Sequence, residues 1–204
     1  MTAFIWDLDG TLIDSYEAIM EALEATYRAF DFQDWDKEAI HAYILKESVG
    51  QLLEKKAGET GTSLAQLKAF FNDEQTKRDD KIKLLPSSKE ALAFADKEGI
   101  QQFMYTHKGA STQAVLENLG IKSYFTKILT GASGFERKPH PEGIYYLMDK
   151  YKLNPHDTYY IGDRKLDVEV AKNAGIRSIN LTQESSPINQ KIQDLRDLET
   201  LFTK

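Results

Sequence analysis

The sequence predicts an α/β protein whose core is a parallel β-sheet flanked by helices. Five short apolar runs, most of them rich in β-branched or aromatic residues, end at polar or glycine-containing turns, which is typical of buried parallel strands. Helical patterns lie between the runs, and this alternation favours right-handed β-α-β crossovers. The predicted strands cover residues 3–6, 102–105, 127–129, 158–161 and 178–181.

Three core helices are predicted from their ends and their apolar spacing. Ser87 and Glu90 resemble a capping box, and Gly99 is placed to end the helix that follows. The next helix begins near Pro141, and its apolar stripe consists of Ile144, Leu147, Met148 and Tyr151. A shorter stripe that ends at Gly175 consists of Leu166, Val170 and Ala174.

Residues 15–83 interrupt this alternation, because they show helical periodicity and no convincing strand. Ser63 and Gln66 are spaced as a helix cap. The apolar stripes at helical spacing consist of Ile19, Leu23, Tyr27 and Phe30, and of Leu64, Leu67, Phe70 and Phe71. A strand and a helix are usually joined by only about 2–6 residues, so the segment is interpreted as an inserted helical domain. The predicted domains are a core of residues 1–14 and 84–204 and the insert of residues 15–83.

The composition excludes several classes of protein. The 204 residues include 26 Lys and Arg against 32 Asp and Glu, a net charge of −6, which argues against a general nucleic-acid-binding surface. Without cysteine there is no disulfide, thiolate metal site or cysteine nucleophile. The first residues do not form a signal peptide, and no apolar run approaches the ~18 residues of a membrane span. These features favour a cytoplasmic protein without nucleic-acid or membrane partners, and we expect a monomer or weak dimer.

The segment Asp7-Leu8-Asp9-Gly10-Thr11-Leu12 follows the first predicted strand. Because side chains alternate along a strand, Asp7 and Asp9 face the same way. Two carboxylates at the end of a buried strand repel each other and are poorly solvated, so a cation or a shared proton is expected there. The alternative is an acidic turn in which Gly10 supplies backbone freedom.

The segment Gly162-Asp163-Arg164-Lys165-Leu166-Asp167 repeats this arrangement after the fourth predicted strand. Asp163 and Asp167 are four residues apart and are placed to lie on one face of a helix. The alternatives are a helix N-cap for Asp163 and a solvated first-turn residue for Asp167. Several carboxylates at strand ends, with no Cys and few His, suit Mg²⁺ better than zinc.

Two further residues fit a phosphate site. Thr106 ends the second predicted strand and offers a hydroxyl hydrogen bond. Lys138 lies in a loop before a predicted helix, where Pro139 and Pro141 stiffen the backbone and hold its ammonium as a point charge. The alternative for Lys138 is an exposed surface lysine.

Together these segments resemble the four motifs of the haloacid dehalogenase-like hydrolase superfamily, in the right order and each at the end of a predicted strand. Residues 7–11 match the first motif, Asp-x-Asp-Gly-Thr/Val, and residues 162–167 match the fourth, Gly-Asp-x-x-x-Asp. Thr106 matches the second motif, a Ser or Thr at a strand end, and Lys138 matches the third, a Lys before a helix. The resemblance is strongest to the branch of phosphoglycolate phosphatases and β-phosphoglucomutases. It implies a Rossmann-like core, with residues 15–83 as a small α-helical cap.

The resemblance also implies a mechanism. Asp7 attacks phosphorus and becomes an aspartyl phosphate, while Asp9 protonates the leaving oxygen and then deprotonates the attacking water. Mg²⁺ is the implied cofactor, held by Asp7, the backbone carbonyl of Asp9 and Asp163. Asp167 is implied as a supporting ligand, or as the residue that orients a metal-bound water or Lys138.

The implied phosphate ligands are Thr106, Lys138 and backbone N–H groups near Gly10. His107 occupies the position after Thr106 where this branch often has Asn, and it either contacts the phosphate or nucleophile region or is a loop residue. Lys46 lies at a predicted joint between two cap helices and is a candidate for substrate choice. A solvated helix-end lysine is the alternative for Lys46.

The expected function is therefore a Mg²⁺-dependent phosphatase that hydrolyses a small phosphate monoester, phosphoglycolate-like or sugar-phosphate-like. The alternative is a sugar phosphomutase of the β-phosphoglucomutase type, in which the cap excludes water from the aspartyl phosphate. A non-catalytic sensor of phosphate ligands is disfavoured, because Asp7, Asp9, Lys138 and Asp163 are all intact.

Overall fold

The computed structural model describes residues 1–203 and divides them into two compact units. The first consists of Met1–Asp14 together with the chain from Lys83 onward, and the second is Ser15–Ile82. Lys83, expected from the sequence to end the inserted domain, instead begins a strand of the first unit.

The first unit contains a six-stranded sheet and a two-stranded one. The strands are β1 (Ala3–Trp6), β2 (Ile13–Asp14), β3 (Lys83–Leu84), β4 (Gln101–Tyr105), β5 (Lys127–Leu129), β6 (Thr158–Gly162), β7 (Arg177–Asn180) and β8 (Asn189–Lys191). The larger sheet has the order β5-β4-β1-β6-β7-β8, and all of its neighbours pair in parallel. The predicted α/β fold class is thereby confirmed.

The helices within residues 1–203 belong to both units. They are α1 (Tyr16–Ala29), α2 (Lys37–Lys46), α3 (Val49–Thr60), α4 (Leu64–Thr76), α5 (Ser88–Lys97), α6 (Thr112–Asn118), α7 (Glu142–Tyr151), α8 (Lys165–Ala174) and α9 (Asp197–Phe202). In this described part of the chain, every helix is too short or too polar to span a bilayer.

The core of the first unit forms where apolar helix stripes cover the sheet. All four residues of β1 are fully buried, because β1 lies between two other strands and beneath helices. The cluster on one face joins β1, β4 and β6 to α7 and α8, and it includes Ile5, Phe103, Tyr160, Ile144, Leu147, Val170 and Ala174. The stripes that predicted α7 and α8 thus supply the faces that these helices bury.

The strand register brings the polar motifs to one edge of the sheet. Trp6 of β1 is level with Met104 of β4 on one side and with Ile161 of β6 on the other. The residues that follow these three strands include Asp7, Thr106 and Asp163. Because parallel strands share their carboxyl-terminal edge, these side chains start from neighbouring positions.

The chain leaves and re-enters the first unit through a pair of short strands. β2 and β3 are antiparallel, with Ile13 opposite Leu84 and Asp14 opposite Lys83. Two residues of β2 pair with two residues of β3, so the point where the chain leaves the first unit lies beside the point where it returns.

The second unit is a four-helix bundle around its own apolar core. Ile19, Leu23 and Tyr27 of α1 pack with Leu67 and Phe71 of α4, as their helical spacing predicts. Phe30, Leu64 and Phe70 are half-buried at the margin of this core.

Two predicted helix caps are wrong. Ser63 precedes α4 but makes no side-chain cap hydrogen bond. Ser87 has a φ of 64°, and its hydroxyl hydrogen-bonds with the carboxylate of Asp194 instead of with the first turn of α5. A capping serine normally has an extended backbone, so the left-handed conformation of Ser87 explains the loss of the cap.

Candidate active site

The first two carboxylates of the site are positioned by the ends of β1 and β6. Asp7 directly follows β1, is 5% exposed, and its backbone N–H donates to the Ile161 carbonyl at 2.8 Å. Asp163 directly follows β6, and its Oδ1 accepts a hydrogen bond from the Thr11 hydroxyl at 3.0 Å. The backbone of Asp7 is thus held by β6, and the carboxylate of Asp163 is held by the turn that follows β1.

Asp167 adds a third carboxylate from the first turn of α8 and is fully buried. Its Oδ2 accepts hydrogen bonds from the backbone N–H groups of Asp163 at 3.2 Å and Arg164 at 3.0 Å. Gly162 permits this approach, because a Cβ there would collide with the Asp167 carboxylate. Asp163 lies before the N-cap residue Arg164, so it is neither the cap nor a helical partner of Asp167 at i, i+4.

Lys138 supplies the positive charge of this cluster. Its Nζ donates at 2.8 Å to each of three acceptors: Asp7 Oδ1, Asp167 Oδ1 and the hydroxyl oxygen of Tyr160. An ammonium has three hydrogens, so these acceptors take them all. Lys138 is 6% exposed, which rules out the alternative of a surface lysine.

Burial raises the proton affinity of Asp7 and Asp163. Burial raises the pKa of Asp7 to about 8, with Lys138 opposing and Asp167 and Asp163 adding to the rise. Burial and the nearby Asp167 raise the pKa of Asp163 to about 7. Burial disfavours the charge of Lys138, but Asp167 and Asp7 outweigh it and hold the pKa of Lys138 well above its ordinary value.

The three carboxylates fit a divalent cation. One ligand oxygen from each of Asp7, Asp163 and Asp167 lies within 4.8 Å of the others. When all three are ionised, Lys138 compensates only one of the three negative charges, and a divalent cation compensates the remaining two. Hard carboxylate oxygens are the ligands that Mg²⁺ prefers. The Asp9 side chain is not part of this group, while that of Asp167 is.

Gly10 contributes to the site by having no side chain. Its φ is +83°, and a Cβ there would lie 2.5 Å from Asp163 Oδ2. Its backbone N–H donates to the Ile13 carbonyl at 2.9 Å, within the turn after β1. Gly10 therefore lets the first and fourth motifs approach each other, and its own N–H is engaged in the turn.

The remaining predicted site residues lie in three different settings. Thr106 is buried after β4, and its hydroxyl oxygen accepts from the Lys108 N–H at 3.1 Å, which leaves its own hydrogen to donate. Asp9 is half-buried and forms a bridge with Ile13. Lys46 ends α2 in the second unit, and its side chain is 82% exposed.

The match to the haloacid dehalogenase-like hydrolase family covers residues 4–181, which include all four motifs. The chain belongs to the haloacid dehalogenase-like hydrolases.

Relatives of this haloacid dehalogenase-like hydrolase include named phosphatases. The phosphoglycolate phosphatase of Vibrio vulnificus strain YJ016 is 31% identical over 186 residues, which cover 87% of this chain and 82% of the relative. That of Mannheimia succiniciproducens is 29% identical over 187 residues, covering 87% of this chain and 84% of the relative. The relatives support a phosphatase within the family.

Solved structures share the fold of this hydrolase. A hydrolase from Streptococcus pneumoniae TIGR4 is 27% identical, with a TM-score of 0.62 and 98% of each chain covered. A haloacid dehalogenase-like family protein from Streptococcus pneumoniae is 21% identical, with a TM-score of 0.80, and the match covers 100% of this chain and 99% of the other. The second likeness bears on the fold alone.

Two residues of the hydrolase site are not found by sequence reasoning. Tyr160 reads as a core residue of β6, yet its hydroxyl accepts from Lys138 and donates to the Tyr105 carbonyl at 2.6 Å. Thr11 lies within the first motif, but its hydrogen bond to Asp163 depends on how β1 and β6 are paired. The sequence does offer a signal for the role of Tyr160. It lies two residues before Gly162, so its side chain lies on the same face of β6 as that glycine.

Replacing Gly10 with alanine is expected to destabilise the hydrolase by about 2–4 kcal/mol, because a left-handed backbone and a collision with Asp163 act together. The matched control is Gly120→Ala, since Gly120 has a φ of +67° and no atom within 4 Å of its added Cβ. Urea unfolding measures both variants. Equal losses for the two would show that contact with Asp163 adds nothing.

Proposed function

We propose that this protein is a Mg²⁺-dependent phosphatase that hydrolyses a small phosphate monoester through an aspartyl phosphate on Asp7. The observation that carries the proposal is the buried cluster of Asp7, Asp163 and Asp167 around the single ammonium of Lys138. Such a cluster costs stability unless a cation joins it, so its presence supports a function that uses the cation.

The metal would be held by Asp7 and Asp163, with Asp167 beside them. When bound, Mg²⁺ supplies positive charge that offsets the repulsion between an anionic nucleophile and an anionic phosphate. Asp167 already accepts from Lys138 and from two backbone N–H groups, which supports a role in orienting Lys138 more than in direct ligation.

In the first step a carboxylate oxygen of Asp7 bonds to phosphorus, and the bond from phosphorus to the ester oxygen breaks. Asp9 gives its proton to the departing oxygen. In the second step Asp9 takes a proton from water, and the water oxygen bonds to phosphorus as the bond to Asp7 breaks. Inorganic phosphate leaves, and Asp7 is restored as a carboxylate.

Lys138 and Thr106 would bind the phosphoryl oxygens. Because the three hydrogens of Lys138 are engaged with Asp7, Asp167 and Tyr160, a phosphate oxygen has to share or replace one of these contacts. Phosphorylation removes the negative charge of Asp7, so the hydrogen donated to Asp7 is the one released toward the transferred group. The Thr106 hydroxyl hydrogen adds a second donor.

The relatives indicate which substrates to test first. Phosphoglycolate phosphatases among them make 2-phosphoglycolate the first ester to test, followed by sugar phosphates and a generic aryl phosphate. Free phosphate is measured after chelation and again after Mg²⁺ is restored, and every organic product is identified.

The proposal predicts phosphate release that stops on chelation and returns with Mg²⁺. Conversion of a sugar 1-phosphate to its 6-phosphate with little free phosphate would support the phosphomutase alternative. If phosphate esters raise the Tm of the protein but none of the panel is turned over, both enzyme hypotheses are contradicted and a phosphate-ligand sensor is favoured.

Mg²⁺ is expected to stabilise the protein more at pH 8.5 than at pH 6.5. The pKa values of Asp7 and Asp163, raised to about 8 and about 7 from 3.8, mean that the metal-free folded state binds extra protons, so its stability falls as pH rises through this range. Mg²⁺ competes with those protons, so the rise in Tm that it causes grows as they leave.

The rise in Tm is compared with and without Mg²⁺ at each pH. His107 affects the stability of the folded protein in the opposite direction. Because its pKa is lowered from 6.5 to about 2 in the folded state, its contribution to the free energy of unfolding is lost as pH falls below 6.5. This loss is the same with and without Mg²⁺. Asp163→Asn should abolish the Mg²⁺ effect, whereas Asp149→Asn, whose side chain is 88% exposed, should retain it. A rise in Tm independent of pH would contradict the prediction.

A further inference from the structure

The loop that carries Lys138 is held at several points along its backbone. The Tyr105 hydroxyl donates to the Glu136 carbonyl at 2.8 Å, and the Asn173 amide donates to the Pro139 carbonyl at 2.9 Å. Between them, the backbone N–H of Lys138 itself donates to Nε2 of His107 at 3.0 Å. Arg137 and Pro139 on either side of Lys138 are exposed, so these contacts fix a buried lysine within an exposed loop.

His107 contacts this loop, residues 130–141 between β5 and α7, at two separate points. A Cβ on Gly131, near the start of the loop, would lie 2.6 Å from the His107 carbonyl oxygen, so the two backbones touch. The Gly131 N–H donates to the Lys108 carbonyl at 2.9 Å. The backbone at residues 107–108 therefore meets the beginning of the loop, and the His107 ring meets Lys138 further on.

The hydrogen bond to Lys138 defines the state of the His107 ring. A nitrogen that accepts from a backbone N–H has a free lone pair, so the imidazole is neutral and carries its hydrogen on Nδ1. Burial, together with Lys138, Arg137 and Arg164, lowers the pKa of His107 to about 2. The ring nitrogen that faces Lys138 is thus an acceptor and has no hydrogen to give to a phosphate.

We propose that His107 is a positioning residue: its Nε2 fixes the backbone of Lys138 and thereby holds the ammonium among Asp7, Asp167 and Tyr160. This inference rests on the proposed function for its effect on turnover. The sequence left His107 either as a contact of the phosphate or nucleophile region or as a loop residue, and the proposal gives it instead a role that acts through Lys138.

Two variants separate the acceptor from the bulk of the ring. His107→Gln places an oxygen acceptor as many bonds from Cα as Nε2, whereas His107→Leu fills space without an acceptor. Leaving the buried Lys138 N–H unpaired should lower kcat/KM by about tenfold in the leucine variant. The glutamine variant should recover to within about threefold of the wild type.

The matched controls are His156→Gln and His156→Leu, because His156 is exposed in the same unit. Both controls should turn over like the wild type. Equal activity of His107→Leu, His107→Gln and wild type would overturn the positioning role, as would equal loss in both His107 variants when each remains folded by thermal unfolding.

A second readout is independent of turnover. Nitrogen-15 NMR of the imidazoles, with His107 assigned by the signals lost in His107→Gln, should show a neutral ring protonated at Nδ1 between pH 6 and 8. Hydrogen on Nε2, or titration near the ordinary histidine pKa, would overturn the proposal. If the wild type has no phosphatase activity while this signature is present, the proposed function fails and the contact between His107 and Lys138 stands.

Discussion

Asp7→Asn is expected to lower kcat by at least about a thousandfold, because an amide oxygen does not act as the nucleophile and removal of a nucleophile abolishes most of an enzyme's rate enhancement. The loss should be the same with every phosphate ester that the wild type hydrolyses. It is measured as phosphate release at saturating Mg²⁺ and ester.

The fold should survive this substitution. Asparagine keeps an oxygen that accepts from Lys138, and the ammonium retains Asp167 and Tyr160 as partners. Loss of one of three crowded carboxylates also relieves repulsion in the metal-free protein. Asp149→Asn is the matched surface control and should keep full activity. Turnover by purified Asp7→Asn at the wild-type rate would refute the assigned nucleophile.

Lys138→Met is expected to lower the free energy of unfolding by about 3–5 kcal/mol and to abolish turnover, because removing one partner of a buried ion pair leaves the other charges uncompensated. Here the uncompensated groups are Asp7 and Asp167, whose contacts with Lys138 are each 2.8 Å. Urea unfolding of the metal-free protein at about pH 9 measures the loss, because Asp7, with its pKa raised to about 8, is mostly ionised there.

A second substitution tests the physical cause. Lys138→Met combined with Asp167→Asn should recover part of the lost stability, since one unpaired carboxylate is removed with the cation. Lys165→Met is the matched control, because the Lys165 side chain is 80% exposed and exposed ion pairs such as that with Glu169 contribute only about 0–1 kcal/mol. A loss below about 1 kcal/mol in Lys138→Met would contradict the ion-pair account.

Five strands of the large sheet could be predicted from the sequence, because each contains a short apolar run. Their apolar runs place β1, β4, β5, β6 and β7 within one residue of the observed ends. β8 could not be predicted in this way, because Asn189-Gln190-Lys191 is short and polar and pairs only at the edge of the sheet. β2 and β3 are two residues each and form because the two chain crossings meet.

The carboxylates of the candidate site could be predicted because their positions depend on strand ends. Asp7 and Asp163 need only the knowledge that parallel strands share an edge. The contacts of Tyr160 and His107 depend instead on where a distant loop, residues 130–141, is held against the sheet. Apolar periodicity carries no information on that packing, so Tyr160 reads as core and His107 as an open alternative.

The burial of Lys138, a charged residue, is also difficult to predict from its local sequence. Taken alone, a lysine in a proline-containing loop is more often exposed. Three acceptors, one directly after β1, one in β6 and one in α8, reverse that expectation, and these elements converge only in the folded sheet. The order of the four motifs along the chain predicts that Lys138 belongs to the site, whereas the local composition around it does not.

The most direct test of the central claim is the mass of Asp9→Asn after reaction with an aryl phosphate and Mg²⁺, followed by an acid quench. The aryl leaving group needs little protonation, so Asp7 should still be phosphorylated, while water attack lacks its base and the aspartyl phosphate accumulates. We expect one added phosphoryl group on the peptide that contains Asp7, and none in Asp7→Asn. Product release without any phosphorylated peptide, or a phosphoryl group on another peptide, would contradict the account.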